Sequence, residues 1–361
     1  MIENKFLLSG LTLPELESFM EEINEPKFRA KQLHYWLYTK SAPEFEQMTN
    51  LSKKFRVRLS EIARITDIKI RQKLTGSDGT IKYLLELSDG NLVETVLMSF
   101  DKRPNLTACV SSQVGCPVGC SFCATGERGF IRNLTAQEIV DQILTIQRDT
   151  GLKITNVVYM GQGEPLLNFD EVIKSVKIIN TELEIGMRRI TISTSGIIPG
   201  IYKLAEENRQ LTLALSLHAP TSELREKLIP IEKKYKLDEV IKALHFLTEK
   251  TGRRVTIEYV LIDGINDSPE HAEQVNRLLK GLKYNINLIP YNPVLTHIIV
   301  SSPKELAACK GGYAAPSVKK IEAFKNILEK SDKKVTVRIE RGSEIGAACG
   351  QLTGGVDVIN S

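Results

Sequence analysis

From about residue 106 the chain alternates strand-like with helical runs, and this constrains its fold more than any other feature of the 361 residues. Apolar, β-rich runs occupy Thr107–Ser111, Ile154–Met160, Arg189–Thr194, Leu211–Leu217, Arg254–Ile262 and Tyr284–Ile289. Amphipathic runs at Ala136–Asp149, Phe169–Asn180, Pro199–Asn208, Lys236–Thr251 and Pro269–Gly281 separate them. Strands joined through helices form parallel sheets, because each crossover returns the chain to start the next strand in the same direction. Six such units are too few for a closed eight-unit barrel. They predict an α/β fold, an open partial barrel whose ligand sits at the C-terminal strand ends. An irregular stretch, Thr296–Ser317, a helix, Val318–Lys330, and a strand, Lys334–Ile339, precede a glycine-rich tail.

The first hundred residues read as a small α+β unit. Helices are expected at Leu13–Glu22, Lys27–Tyr38 and Leu51–Ala63. Strands are expected at Thr66–Leu74, Thr80–Leu87 and Asn91–Met98, with Ser77-Asp78-Gly79 and Ser88-Asp89-Gly90 as turns. The division predicted is residues 1–100 and 101–361. Between Pro26 and Lys73 twelve Lys/Arg stand against four Asp/Glu, a local charge of +8 on a chain whose net charge is +4. That asymmetry suits an anionic partner such as nucleic acid, and also suits a solvated helical face. Lys27, Arg29, Lys31, Lys53, Lys54, Arg56 and Arg58 are the candidate phosphate contacts, with Tyr35 and Trp36 able to stack on bases. No run approaches the roughly 20 apolar residues of a membrane span. The start lacks the pattern of a signal peptide, so a cytoplasmic protein is expected.

The sharpest motif is Cys116-Pro-Val-Gly-Cys120-Ser-Phe-Cys123, directly after the first strand of the alternating region. Three thiolates at this spacing can bind three irons of a [4Fe–4S] cluster and leave the fourth open. Zinc with a distant fourth ligand and plain buried cysteines are the other readings. Gly161-Gln162-Gly163-Glu164 follows the second strand, where an approachable backbone beside one carboxylate suits a ligand ammonium. Ser193 ends the third strand and Ser216-Leu217-His218 the fourth. Asn292 follows the sixth. Each alone fits an ordinary turn residue, but on successive strand ends they point to a shared site. Cys349 lies among glycines at 342, 346, 350, 354 and 355, and a thiol on such a tail is a candidate reactive group. Cys109, at the end of the first strand, is aimed at the same face.

These segments together carry a resemblance. CxxxCxxC with Phe122 before the last cysteine resembles the radical S-adenosylmethionine (SAM) signature. NLTACVSSQVGCPVGCSFCATGERGF, VVYMGQGEPLLN, ITISTSGIIPGI, LALSLHAP, LIPYNP and AACGQL resemble the RlmN/Cfr family of RNA adenine methyltransferases over nearly the whole chain. GEPLLN and LIPYNP lie on the RlmN side of that family. The resemblance implies a partial (β/α)6 radical SAM barrel with an N-terminal accessory domain that binds RNA. It implies a [4Fe–4S] cluster on Cys116, Cys120 and Cys123, and two SAM molecules per turnover. SAM contacts would come from Gly163, Glu164, Ser193, Ser216, Leu217, His218 and Asn292. The implied reaction is methylation at C2 of an adenine in 23S rRNA and, in some members, of the tRNA adenine beside the anticodon; the Cfr branch acts at C8. In the family's scheme Cys349 carries the methyl carbon and crosslinks to RNA, Cys109 releases the product by forming a disulfide with it, and Glu94 accepts a proton. A reductant such as flavodoxin or ferredoxin and a monomeric state are implied as well. The Asn292–Cys349 segment departs from the family by its length and by an extra cysteine, Cys309, which is expected to be non-catalytic. A zinc-stabilised RNA-binding module is the non-enzymatic alternative.

Overall fold

The computed structural model describes residues 5–100, 103–293, 312–338 and 340–355. Two short strands open and close the N-terminal helical unit, β1 (Phe6–Leu7) and β2 (Ala63–Arg64), paired in parallel. Between them lie α1 (Leu13–Glu22), α2 (Phe28–His34), a π-helical turn over Tyr35–Thr39, and α3 (Lys53–Ile62). Thr12 starts α1 through a capping box with Glu15, and Leu16, Phe19 and Met20 bury one face at helical spacing. The expected single helix over Lys27–Tyr38 instead widens at Tyr35, where the Lys40 N–H reaches back five residues to the Tyr35 carbonyl.

A ten-stranded sheet follows. Strands β3 (Lys69–Thr75), β4 (Ile81–Glu86), β5 (Leu92–Phe100) and β6 (Arg103–Cys109) run antiparallel, so the hairpins read as part of the N-terminal unit continue the main sheet. From β6 onward the neighbours are parallel: β9 (Asn156–Tyr159), β10 (Ile190–Thr194), β11 (Thr212–Ser216), β12 (Val255–Leu261), β13 (Tyr284–Pro290) and β14 (Val335–Val337). The six expected parallel strands are present within two residues at nearly every end, and β14 is a seventh. A short hairpin, β7 (Gln113–Gly115) with β8 (Phe130–Asn133), brackets the cysteine loop and α4 (Ala124–Arg128).

The crossover helices are α5 (Ala136–Thr150), α6 (Phe169–Thr181), α7 (Ile198–Glu206), α8 (Ser222–Leu228), α9 (Leu237–Thr251) and α10 (Pro269–Leu278), and α11 (Val318–Glu329) precedes β14. Helix α5 begins at a Thr135–Glu138 capping box and ends at Gly151, whose φ of 69° suits glycine. One apolar core runs from Leu16 and Phe19 through Tyr83 and Leu97 to Ile192, Leu215 and Ile257. Polar ties add to it: Ser9 donates to Asp141 at 2.7 Å, Arg148 pairs with Asp141 at 2.5 Å, and His34 contacts Glu182 at 2.5 Å. No helix of the described residues is long and apolar enough to cross a membrane.

Candidate active site

The cysteine loop is shaped by its glycines. Gly115 has φ 74°, and a Cβ there would fall 1.8 Å from the Gly129 carbonyl oxygen, so the β7–β8 hairpin closes only around glycine. Past it, Cys116, Cys120 and Cys123 line a cavity of about 170 Å³ with Gly163, Glu164, Ser193, Ser216 and His218. Burial pushes the Cys116 thiol up to about 12 and Cys120 well above the ordinary thiol range. Such thiols stay protonated until a metal replaces the proton. Among the described residues no three His, Cys, Asp or Glu are grouped as ligands of a single metal ion. Three thiols and one buried carboxylate lining a single cavity fit the three-thiolate set of a cluster with one open iron.

The loop after β9 supplies the carboxylate. Gly163 has φ 99°, and a Cβ would lie 2.6 Å from the Gln113 Cβ, which presses this loop against the cysteine side. Glu164 Oε2 accepts the Ser195 N–H at 2.7 Å and the Ser195 hydroxyl at 2.8 Å, while Oε1 accepts the Leu166 N–H at 3.0 Å. Burial raises the Glu164 carboxyl and these bonds pull it down. The result is an oriented acceptor for an ammonium group. On the facing strands Ser193 and Ser216 hydroxyls stand 3.5 Å apart.

His218, held at φ 56°, accepts the Val260 N–H on Nδ1 at 2.9 Å. Burial, with Arg225 nearby, lowers its pKa to about 3, so the ring is neutral and its proton sits on Nε2. Phe122 meets the ring edge-on at 5.0 Å. The Leu217 side chain packs in the core, and its carbonyl accepts from Arg225 Nε at 3.3 Å. Arg225, fully buried on α8 and paired with Glu232 at 2.7 Å, also bonds the Ser195 and Ser216 carbonyls. It ties the ends of β10 and β11 together. Sequence reasoning missed it because α8 is only seven residues long.

A second cavity, about 560 Å³, adjoins the first. It is lined by Cys109, Asn292, Val96, Met98, Leu352 and Cys349, among others. Cys349, Cys123, Gly161 and Arg338 line both cavities. Cys349 is exposed, and Arg338 Nη1 lies 3.7 Å from its sulfur and 3.9 Å from Glu258 Oε2. Cys109 is buried, which pushes its thiol up to about 12. Arg338, just past the three-residue strand β14, and Glu258, at the centre of β12, were not anticipated; no local pattern distinguishes either.

Glu94 lines neither cavity. Fully buried on β5, it pairs with Lys82 and accepts the Gly354 N–H at 2.6 Å. Cys309 and residues 294–311 lie outside the described residues. Nearby, the Tyr313 hydroxyl lies 3.1 Å from Ser121 Oγ, and its ring packs against Tyr291. In the N-terminal unit Lys53 and Lys54 are exposed at the start of α3, whereas Lys27, Arg29 and Arg58 are ion-paired with Glu21 or Glu25. Tyr35 is exposed. Trp36 packs partly against the core and donates to Asn50.

Residues 110–275 match the radical SAM superfamily, and residues 7–65 match the ribosomal RNA large subunit methyltransferase N-terminal domain. A probable dual-specificity RNA methyltransferase RlmN from Alkaliphilus oremlandii is 48% identical over 96% of this chain and 97% of its own. The chain belongs to the RlmN family. A second RlmN relative, from Thermotoga neapolitana, is 47% identical over 96% of both chains. The crystal structure of a radical SAM methyltransferase from Sphaerobacter thermophilus superposes with a TM-score of 0.88 at 43% identity, covering 97% of this chain and 100% of that one. The RlmN family is a radical SAM methyltransferase family, so the barrel is a radical SAM barrel, for which a [4Fe–4S] cluster and SAM are implied.

Proposed function

We propose that the chain methylates C2 of an adenine in 23S rRNA and of the adenine 3′ of the anticodon in tRNA, through a methylated Cys349. The observation that carries this reading is the position of Cys349 between two cavities, with Cys116 and Cys120 lining the smaller, Cys109 the larger and Cys123 both. The names of the relatives, dual-specificity RNA methyltransferases, support the two RNA substrates.

The C2 carbon of adenine has no lone pair to attack an electrophilic methyl group, so the bond needs radical chemistry. A [4Fe–4S] cluster on Cys116, Cys120 and Cys123, with two SAM per turnover, supplies the methyl group and a 5′-deoxyadenosyl radical when bound. Glu164 holds the SAM ammonium. Gly163, Ser193, Ser216 and His218, which line the same cavity, complete its site, with His218 offering the Nε2 proton as a donor; Leu217 contributes only through its backbone, and Asn292 lines the larger cavity. Cys349 carries the methyl carbon from the smaller cavity to the larger, where the target adenine enters. Flipping that base out of its stack costs a few kcal/mol, offset by phosphate contacts such as Lys53 and Lys54. The radical adduct on the base gives up one electron to an oxidised electron-transfer protein and one proton, which Glu94 accepts once its bond to the Gly354 N–H opens. The Cys109 thiolate then attacks the Cys349 sulfur and the sulfur–methylene bond breaks. The electron pair of that bond stays with the base and is protonated to leave a methyl group, and a reductant returns the Cys109–Cys349 disulfide to thiols. The chain acts as a cytoplasmic monomer, and a flavodoxin or ferredoxin supplies electrons.

The test is anaerobic reconstitution with SAM, a reductant and unmodified 23S rRNA or tRNA, read by nucleoside mass spectrometry. The expected product is 2-methyladenosine from both RNAs. 8-Methyladenosine, or methylation of neither RNA, overturns the assignment.

A further inference from the structure

Lys82 is the second residue of β4, on a strand buried from Lys82 to Leu85, and its side chain is only 3% exposed. A buried ammonium is costly unless it is paired and hydrogen-bonded. Two such partners lie among the described residues. One is Glu94 Oε1 on β5, at 3.2 Å. The other is the Gly346 carbonyl at 3.3 Å, in the tail that carries Cys349. Glu94 in turn uses Oε2 to accept the Gly354 N–H at 2.6 Å. The ion pair therefore grips the tail at positions 346 and 354, on either side of Cys349.

The tail is also seated on the turn that joins β3 to β4. Asp78 accepts the Gly342 N–H at 3.1 Å, and Glu344 accepts the Ser77 N–H. Gly346 has φ 62°, and a Cβ on it would lie 3.1 Å from Lys82 Nζ, so the tail lies directly against the ammonium. At the reactive end the Gly350 carbonyl accepts the Ala124 N–H at 2.8 Å, beside Cys123.

We propose that Lys82 is a positioning residue for Cys349. Paired with Glu94, it clamps the tail so that the thiol stands in the wall between the two cavities. Lys82 lines neither cavity and acts on Cys349 only through the tail it holds. The proposal rests on the reading of Cys349 as methyl carrier.

The test uses the full-length reconstituted enzyme and three variants: Lys82→Met, Lys82→Arg and Lys82→Met/Glu94→Leu. Two quantities are read: the rate at which Cys349 becomes S-methylated after SAM is added, by peptide mass spectrometry, and deuterium uptake over residues 342–355. Cys349 methylation precedes any proton transfer to Glu94, so loss of that role does not confuse the result. A thiol displaced by about 1 Å loses roughly a hundredfold in rate, and Lys82→Met is expected to lose that much while uptake over 342–355 accelerates. Lys82→Arg restores most of the rate. The double variant removes both buried charges and recovers the melting temperature but not Cys349 methylation; it also decides the question if Lys82→Met does not fold. Parent-like methylation in Lys82→Met, or recovery of both stability and methylation in the double variant, overturns the proposal. Should the parent chain never methylate Cys349, the functional reading fails, and uptake over 342–355 alone decides the clamp.

Discussion

Cys109 should be one of the least reactive thiols of the chain at neutral pH, and the amount follows from its burial. The side chain ends β6 inside the larger cavity, 8% exposed, packed with Val96 and Leu352. Removing a thiolate from water raises the pKa, here to about 12. An ordinary thiol near pKa 8.5 is about one-tenth thiolate at pH 7.5, whereas one at about 12 is thiolate in roughly three parts per hundred thousand. Alkylation should therefore run about three orders of magnitude slower than for an ordinary exposed cysteine. Because the folded pKa is raised, the thiolate fraction keeps climbing across the accessible range, about tenfold per pH unit, with no plateau below pH 10. Release of the RNA product, if it needs the Cys109 thiolate, inherits the same slope. The assay is pulsed iodoacetamide labelling of the anaerobic holoenzyme at pH 7 to 10, with Cys109 and Cys349 quantified by peptide fragmentation. Labelling of Cys109 within tenfold of an ordinary thiol at pH 7.5, or a flat pH profile, refutes the argument from burial.

Gly163→Ala should weaken SAM binding severalfold and lower the melting temperature, because its φ of 99° and the 2.6 Å approach to Gln113 cannot accept a Cβ; calorimetric SAM titration checks it. Arg225→Ala leaves the buried Glu232 carboxylate without its guanidinium and should cost about 3–5 kcal/mol in a denaturant titration. Lys53→Gln with Lys54→Gln should reduce the slope of log RNA affinity against log salt by about one for each phosphate contact removed; an unchanged slope moves those contacts elsewhere.

The parallel strands were legible because strands buried on both faces form continuous apolar runs: Leu211–Leu217 in the sequence becomes Thr212–Ser216 in the sheet. The cysteine loop and the glutamate loop were legible because glycine and cysteine mark local chemistry at fixed spacing. What escaped depends on long-range packing. Lys82 in a β-hairpin resembles a solvent-facing strand residue, and only a tail 264 positions away buries it. Arg225 rides on a helix too short for periodicity to mark. The widened turn at Tyr35–Thr39 has no local signature, and the continuity of β3–β5 with the barrel sheet arises from the β5–β6 pairing across residue 100.

The central claim is that Cys349 carries the carbon to RNA and Cys109 releases it, and Cys109→Ala tests it most directly. With SAM, reductant and unmodified RNA under anaerobic conditions, this variant should accumulate protein covalently joined to RNA. The adduct should appear as a gel shift that RNase collapses, with a methylene-bridged adenosine on the peptide containing Cys349. The Cys109→Ala/Cys349→Ala double variant should give none. Free methylated RNA from Cys109→Ala at the parent rate, with no adduct on Cys349, contradicts the account.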